Sequence, residues 1–158
     1  MIRALALFAA VAPAVVVSAA AAEFEVAQVI APASVALPAG KLRQVKIDVI
    51  VKPGYHVQAN PAAYPNLIPT VLTLAPASGV AVGKPVYPGP KRLRLEGSGD
   101  QLLVYDGRFQ IIVPMARFSK APSTVRLEGS LRYQGCDQVR CLFPQTLPVV
   151  LTVEALAP

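Results

Sequence analysis

Apolar residues recur at every second position in Val45-Lys46-Ile47-Asp48-Val49-Ile50-Val51-Lys52, where Val45, Ile47, Val49 and Val51 share one face. That period predicts a half-buried β-strand, and Pro53-Gly54 ends it. Thr70 to Leu74 and Val80 to Val86 are shorter β-rich runs, parted by the turn-forming Ala75-Pro76-Ala77-Ser78-Gly79. Leu102 to Tyr105 leads through Asp106-Gly107 into Arg108 to Val113, where Phe109, Ile111 and Val113 alternate. Asp106-Gly107 fits either a tight hairpin turn or a bulge within one bent strand. Val125, Leu127, Leu131 and Tyr133 alternate along a further strand, and Val149 to Val153 closes the series. Short strands separated by turn signals, with little helical period and prolines throughout, predict an all-β fold, an antiparallel β-sandwich. The Pro-rich segment from Pro85 to Pro90 fits its loops or edges.

The first residues follow another pattern. Arg3 precedes an apolar run from Ala4 to Val17 and a small-residue stretch ending Ala20-Ala21-Ala22. This is the layout of a secretory signal peptide cleaved before Glu23, and its apolar part is shorter than the ~20 residues of a spanning helix. The expected organisation is therefore a signal peptide over 1–22 and one domain over 23–158. Every later apolar run is interrupted by Lys, Arg, Asp, Pro or Gly, so the mature chain is expected to be soluble and exported, where disulfides persist. Without Arg3 there remain fourteen Lys and Arg against nine Asp and Glu, a formal net charge of +5. The basic residues are scattered apart from Lys91-Arg92-Leu93-Arg94 and lack the interleaved aromatics of a nucleic-acid platform. A solvated basic surface is the expected role, with no nucleic-acid partner. The sequence also lacks paired carboxylates, a Gly-rich phosphate loop or a Ser/His/Asp set at a workable spacing, which gives hydrolase or nucleotide chemistry no support.

The two cysteines, Cys136 and Cys141, lie in Tyr133-Gln134-Gly135-Cys136-Asp137-Gln138-Val139-Arg140-Cys141-Leu142-Phe143-Pro144. A bridge between them closes a small loop and requires Cα atoms within about 7 Å. So short a loop adds less to stability than a distant crosslink, and the domain is long enough to build a core without it. Its placement suits exchange, yet a local staple accounts for the same spacing. Spacing also gives the two cysteines equal claims as nucleophile. A metal site is poorly served, because His56 is the single histidine and two Cys with one His leave a tetrahedral set incomplete. His56, after a strand-ending Pro-Gly, fits a packed structural role better than acid/base work. Asp137 and Arg140, between the cysteines, would tune thiol acidity in opposite senses, or simply be solvated loop charges. Tyr105 and Tyr133 would flank the loop or pack in the core.

Tyr133-Gln134-Gly135-Cys136, followed by Cys141 and Pro144, resembles the active-site segment of the amino-terminal periplasmic domain of the DsbD thiol:disulfide interchange proteins. Gly54-Tyr55-His56-Val57 with Asn60-Pro61, then Pro69-Thr70, and Val104-Tyr105-Asp106-Gly107-Arg108-Phe109 before Val113-Pro114 resemble other segments of that domain in the same order. The resemblance covers nearly the whole mature chain. It implies an immunoglobulin-like β-sandwich in the periplasm whose catalytic pair, Cys136 and Cys141, cycles between dithiol and disulfide with no other cofactor. It further implies electrons arriving from a thioredoxin-like donor and leaving to periplasmic disulfide isomerases or thioredoxin-like acceptors. Cys141 would enter the mixed disulfide and Cys136 would resolve it, with Tyr105, Tyr133, Asp137, Arg140 and Phe143 around them.

The chain ends soon after its last strand, so the donor, supplied by a membrane-embedded electron-transfer protein, is expected in trans. Where better-known members carry an acidic and aromatic cap, this sequence reads Leu93-Arg94-Leu95-Glu96-Gly97-Ser98-Gly99-Asp100. Shielding would fall to Leu93, Leu95 or Phe143. The competing expectation from the residues is a non-catalytic exported sandwich, a binding or assembly module with a fixed disulfide.

Overall fold

The computed structural model describes residues 25–97 and 99–156, so the expected signal segment, 1–22, lies outside the described residues. Within them the chain forms strands, turns and loops, with no helix. The strands are β1 (Ala27–Ile30), β2 (Ser34–Leu37), β3 (Leu42–Val51), β4 (His56–Gln58), β5 (Val71–Leu74) and β6 (Val80–Val82). They continue as β7 (Lys91–Arg94), β8 (Gln101–Tyr105), β9 (Arg108–Arg117), β10 (Thr124–Tyr133), β11 (Gly135–Cys136) and β12 (Gln145–Ala155).

Two four-stranded sheets, ordered β1-β3-β9-β6 and β2-β12-β10-β5, form the sandwich. Their long central strands are the ones with period-two patterning. Val45, Ile47, Val49 and Val51 of β3 are buried with Phe109, Ile111, Val113 and Met115 of β9. Val125, Leu127, Leu131 and Tyr133 of β10 join Leu147, Val149, Leu151 and Val153 of β12 in the same core. Burial of these aliphatic faces is the main stabilising term. Alternation in β10 skips Gly129 because β5 passes too close. A Cβ there would sit 1.9 Å from the Thr73 carbonyl oxygen.

A third sheet, ordered β11-β4-β8-β7, grows from the end of the sandwich where β3 finishes, β9 begins and β10 runs into β11. Asp106-Gly107 is the corner between β8 and β9. Those strands belong to different sheets, so it is not a hairpin, and Gly107 takes φ +58° while its carbonyl accepts the Val51 N–H at 2.8 Å. Between the named strands the pairing is antiparallel except that β2 runs parallel to β12, from Ser34 opposite Thr152 to Leu37 opposite Ala155, and an isolated parallel bridge joins Ala39 to Arg117. The basic run Lys91–Arg94 is β7, an edge strand whose Lys and Arg side chains discourage further strand addition.

Candidate functional site

β10 ends at Tyr133, and the chain continues through Gln134 into the two-residue β11, which pairs antiparallel with β4. In that register Gly135 lies opposite Val57 and Cys136 opposite His56. The chain then turns back on itself, and Cys136 and Cys141 face each other across an antiparallel bridge flanked by two backbone bonds, Asp137 N–H to Arg140 O at 3.0 Å and Leu142 N–H to Gly135 O at 2.8 Å. The sulfurs are bonded at 2.05 Å and the Cα atoms lie 3.9 Å apart.

The Asp137 carboxylate holds the turn. One oxygen accepts the Val139 and Arg140 N–H groups, each at 2.8 Å. These bonds, with the Arg140 charge 3.9 Å away, hold its carboxyl below the usual carboxylate range. The loop charges thus organise the turn, and Arg140 otherwise extends into solvent. Gln134 locks the base of the loop, its amide oxygen accepting Ile68 N–H at 2.9 Å and its amide nitrogen donating to Leu142 O at 3.1 Å.

The two sulfurs have unequal surroundings. Cys136 is 0% exposed, whereas Cys141 is half-buried and lines an open cleft of about 580 Å³ with Gln134, Arg140, Leu142, Phe143, Pro144 and Gln145. Phe143 is 91% exposed on this cleft, and Val139, two residues before Cys141 in the chain, is 72% exposed. Phe143 therefore rims the cleft and shields nothing by burial. Instead the β7–β8 turn leans on the loop, Glu96 N–H donating to Gln138 O at 3.3 Å. Leu93 lines a second cleft with His56, Val104, Asp106 and Gln138.

A family model for the amino-terminal part of the thiol:disulfide interchange protein DsbD matches residues 21–152. The chain belongs to the DsbD amino-terminal domain family. The reduced DsbD n-terminal domain of Neisseria meningitidis aligns with 71% of this chain and 82% of its own length, at 20% identity and TM-score 0.45. The N-terminal periplasmic domain of ScsB from Proteus mirabilis aligns with 83% of this chain and 49% of its own length, at 15% identity and TM-score 0.50. No curated protein sequence matches the chain. The immunoglobulin-like sandwich implied by the resemblance is the fold of this DsbD-type domain. Its family and its closed cysteine pair support thiol–disulfide exchange as the chemistry of the loop.

Not every residue expected around the cysteines lies at the sulfurs of this DsbD-type domain. Tyr133 is a core residue whose hydroxyl accepts Ala27 N–H at 3.2 Å and donates to Gln145 Oε1 at 2.7 Å. Tyr105 is buried against the Phe109 ring, with centroids 4.6 Å apart, and its hydroxyl accepts Asn60 N–H at 3.1 Å. Both fix the walls behind the loop. His56 is 5% exposed, with Nε2 buried and unpartnered. Burial lowers its pKa and favours neutral imidazole, against the opposing pull of Asp106 and Asp137. Among the described residues no group of three or more His, Cys, Asp or Glu is placed to hold a metal.

Sequence reasoning missed Gln58. Its amide nitrogen lies 3.2 Å from Cys136 Sγ and 3.7 Å from Cys141 Sγ. No sequence signal marked it, because β4 spans only His56–Gln58 and the burial of all three residues without alternation emerges only in the fold. Such a strand is covered on both faces, and here the cysteine loop supplies part of the second cover.

Proposed function

We propose that this domain is a periplasmic disulfide-reductase relay. Its Cys136–Cys141 pair accepts two electrons from a thioredoxin-like donor and passes them to a disulfide isomerase or another thioredoxin-like acceptor. A donor thiolate attacks Cys141 Sγ, the Cys136–Cys141 bond breaks, and Cys136 departs as thiolate. The donor's second thiolate then displaces Cys141 from the mixed disulfide, leaving the donor oxidised and the domain a dithiol. The reverse sequence, begun by the Cys141 thiolate, reduces the acceptor.

The observation carrying the role assignment is the difference in burial. An incoming thiolate reaches a sulfur from solvent, and Cys141 borders an open cleft while Cys136 is enclosed. Phe143, on the same cleft, offers a partner an apolar contact beside the attacked sulfur. The signal-like first 22 residues and the periplasmic ScsB domain support the compartment.

Redox titration tests the reading. An exchange pair equilibrates with thioredoxin-like proteins, whose potentials include about −270 mV for thioredoxin and about −180 mV for a disulfide isomerase. A midpoint below about −300 mV, with no reduction by such donors, is the behaviour of a structural disulfide and contradicts the proposal.

A further inference from the structure

Gln58 is 0% exposed, and its backbone is held on both sides. Its N–H donates to Gln134 O at 3.0 Å, and its carbonyl accepts the Thr70 N–H at 3.1 Å and the Thr70 hydroxyl at 2.6 Å. Gln134 belongs to the cysteine segment, so one backbone bond ties β4 directly to the loop. The side-chain amide is left facing the disulfide. Its N–H₂ group points to both sulfurs, nearer to Cys136, while Oε1 is buried without a partner.

For stability alone this is an unfavourable arrangement. Disulfide sulfur is a weak acceptor, and a buried amide oxygen with no donor retains its desolvation penalty. An apolar side chain of similar size would avoid that penalty. Turning the amide over would aim oxygen lone pairs at sulfur lone pairs, so the donor side faces the bridge. The balance changes when the bond breaks, because a hydrogen bond to an ionised acceptor is about twice as strong as one between neutral groups. The donor is already in place where the negative charge develops, in a site closed to water. Burial lowers the pKa of His56, the cross-strand neighbour of Cys136, and so disfavours a compensating imidazolium there.

We infer that Gln58 is a catalytic hydrogen-bond donor, which stabilises Cys136 as the leaving thiolate when a partner thiolate attacks Cys141. This rests on the exchange reading above and adds to it a residue outside the cysteine loop. In the step, the partner sulfur bonds to Cys141 Sγ and the electron pair of the broken S–S bond stays on Cys136, facing Gln58 Nε2. The partner dithiol supplies both electrons and the two protons that end on the domain's thiols.

The test compares the full chain with Gln58→Leu, which removes the donor, and Gln58→Met, which removes it while keeping an unbranched shape. Thiolate absorbance gives the Cys136 pKa in a Cys141→Ala background, and dithiothreitol gives the rate of disulfide reduction. Loss of the donor raises the Cys136 pKa by about one unit or more and slows reduction roughly tenfold. Thermal unfolding of the oxidised forms identifies a variant that has lost its fold; if Leu does so, Met decides. Folded variants matching the parent in both readouts overturn the inference. Failure of the parent to exchange with any thioredoxin-like protein, with the Gln58 effects intact, overturns only the proposed function.

Discussion

Gly135, beside Cys136 in the Tyr-Gln-Gly-Cys segment, is required by packing against Val26. A Cβ at position 135 would lie 2.9 Å from Val26 Cγ1 and 3.0 Å from both Cβ and Cγ2, where ordinary contact begins at 3.4 Å. Val26 has little room to retreat, being 0% exposed with its carbonyl held by Lys52 N–H at 2.9 Å. Gly135 is held by the Leu142 N–H bond to its carbonyl and by the ladder to β4. Overpacking of this kind costs about 1–3 kcal/mol, so Gly135→Ala lowers the urea midpoint of the oxidised domain by that equivalent. Val26→Ala alone costs about 2 kcal/mol, from two buried methyls and the cavity they leave. The double variant uses that cavity for the new methyl, and its loss is smaller than the sum by about 1 kcal/mol or more. Urea unfolding of the four proteins, read by circular dichroism with unchanged slopes, gives the cycle directly. Additivity within about 0.5 kcal/mol, or a Gly135→Ala protein as stable as the parent, would refute the packing argument.

Three further outcomes follow from named contacts. Tyr133→Phe removes the hydroxyl between Ala27 N–H and Gln145 Oε1 and lowers stability by about 1–3 kcal/mol, measured in urea. His56 has a folded pKa below its ordinary 6.5, so the unfolded chain binds more protons there. Stability is accordingly level above pH 6.5 and falls as pH drops from 6.5 through the folded pKa, a loss that His56→Gln removes in denaturant midpoints taken above the carboxylate range. Phe143→Ala removes the apolar rim beside Cys141 and slows reduction by a thioredoxin-like protein roughly tenfold more than reduction by dithiothreitol, as followed by stopped-flow mixing.

Period-two burial was legible only where strands are long. β3, β9, β10 and β12 each run ten or eleven residues, and the runs expected at Val45, Arg108, Val125 and Val149 lie along them. β5, β6 and β8 span three to five residues and showed instead as β-rich runs between turn residues, with β6 ending at Val82 rather than Val86. β1, β2, β4, β7 and β11 span only two to four residues, too short for a period to emerge, and the parallel pairing of β2 leaves no turn signature. Asp106-Gly107 was visible as a bend, but its choice between hairpin and corner depended on pairing partners distant in sequence. The cysteine loop was legible because its chemistry is local. Gln58 was not, since it reaches the sulfurs across 78 residues of chain and a lone glutamine carries no spacing pattern. The unequal burial of the cysteines was hidden for the same reason: strands and loops from elsewhere enclose one sulfur and leave the other on an open cleft.

The central claim is that Cys141 meets the partner and Cys136 resolves the complex. Trapping tests it most directly, mixing the reduced Cys136→Ala and Cys141→Ala variants with a single-cysteine thioredoxin-like partner held as a mixed disulfide with a small aromatic thiol, which is the leaving group, and reading the products on non-reducing gels. The account predicts a stable mixed disulfide through Cys141 in Cys136→Ala and little or none in Cys141→Ala. Equal trapping by both variants, or by neither, would contradict it.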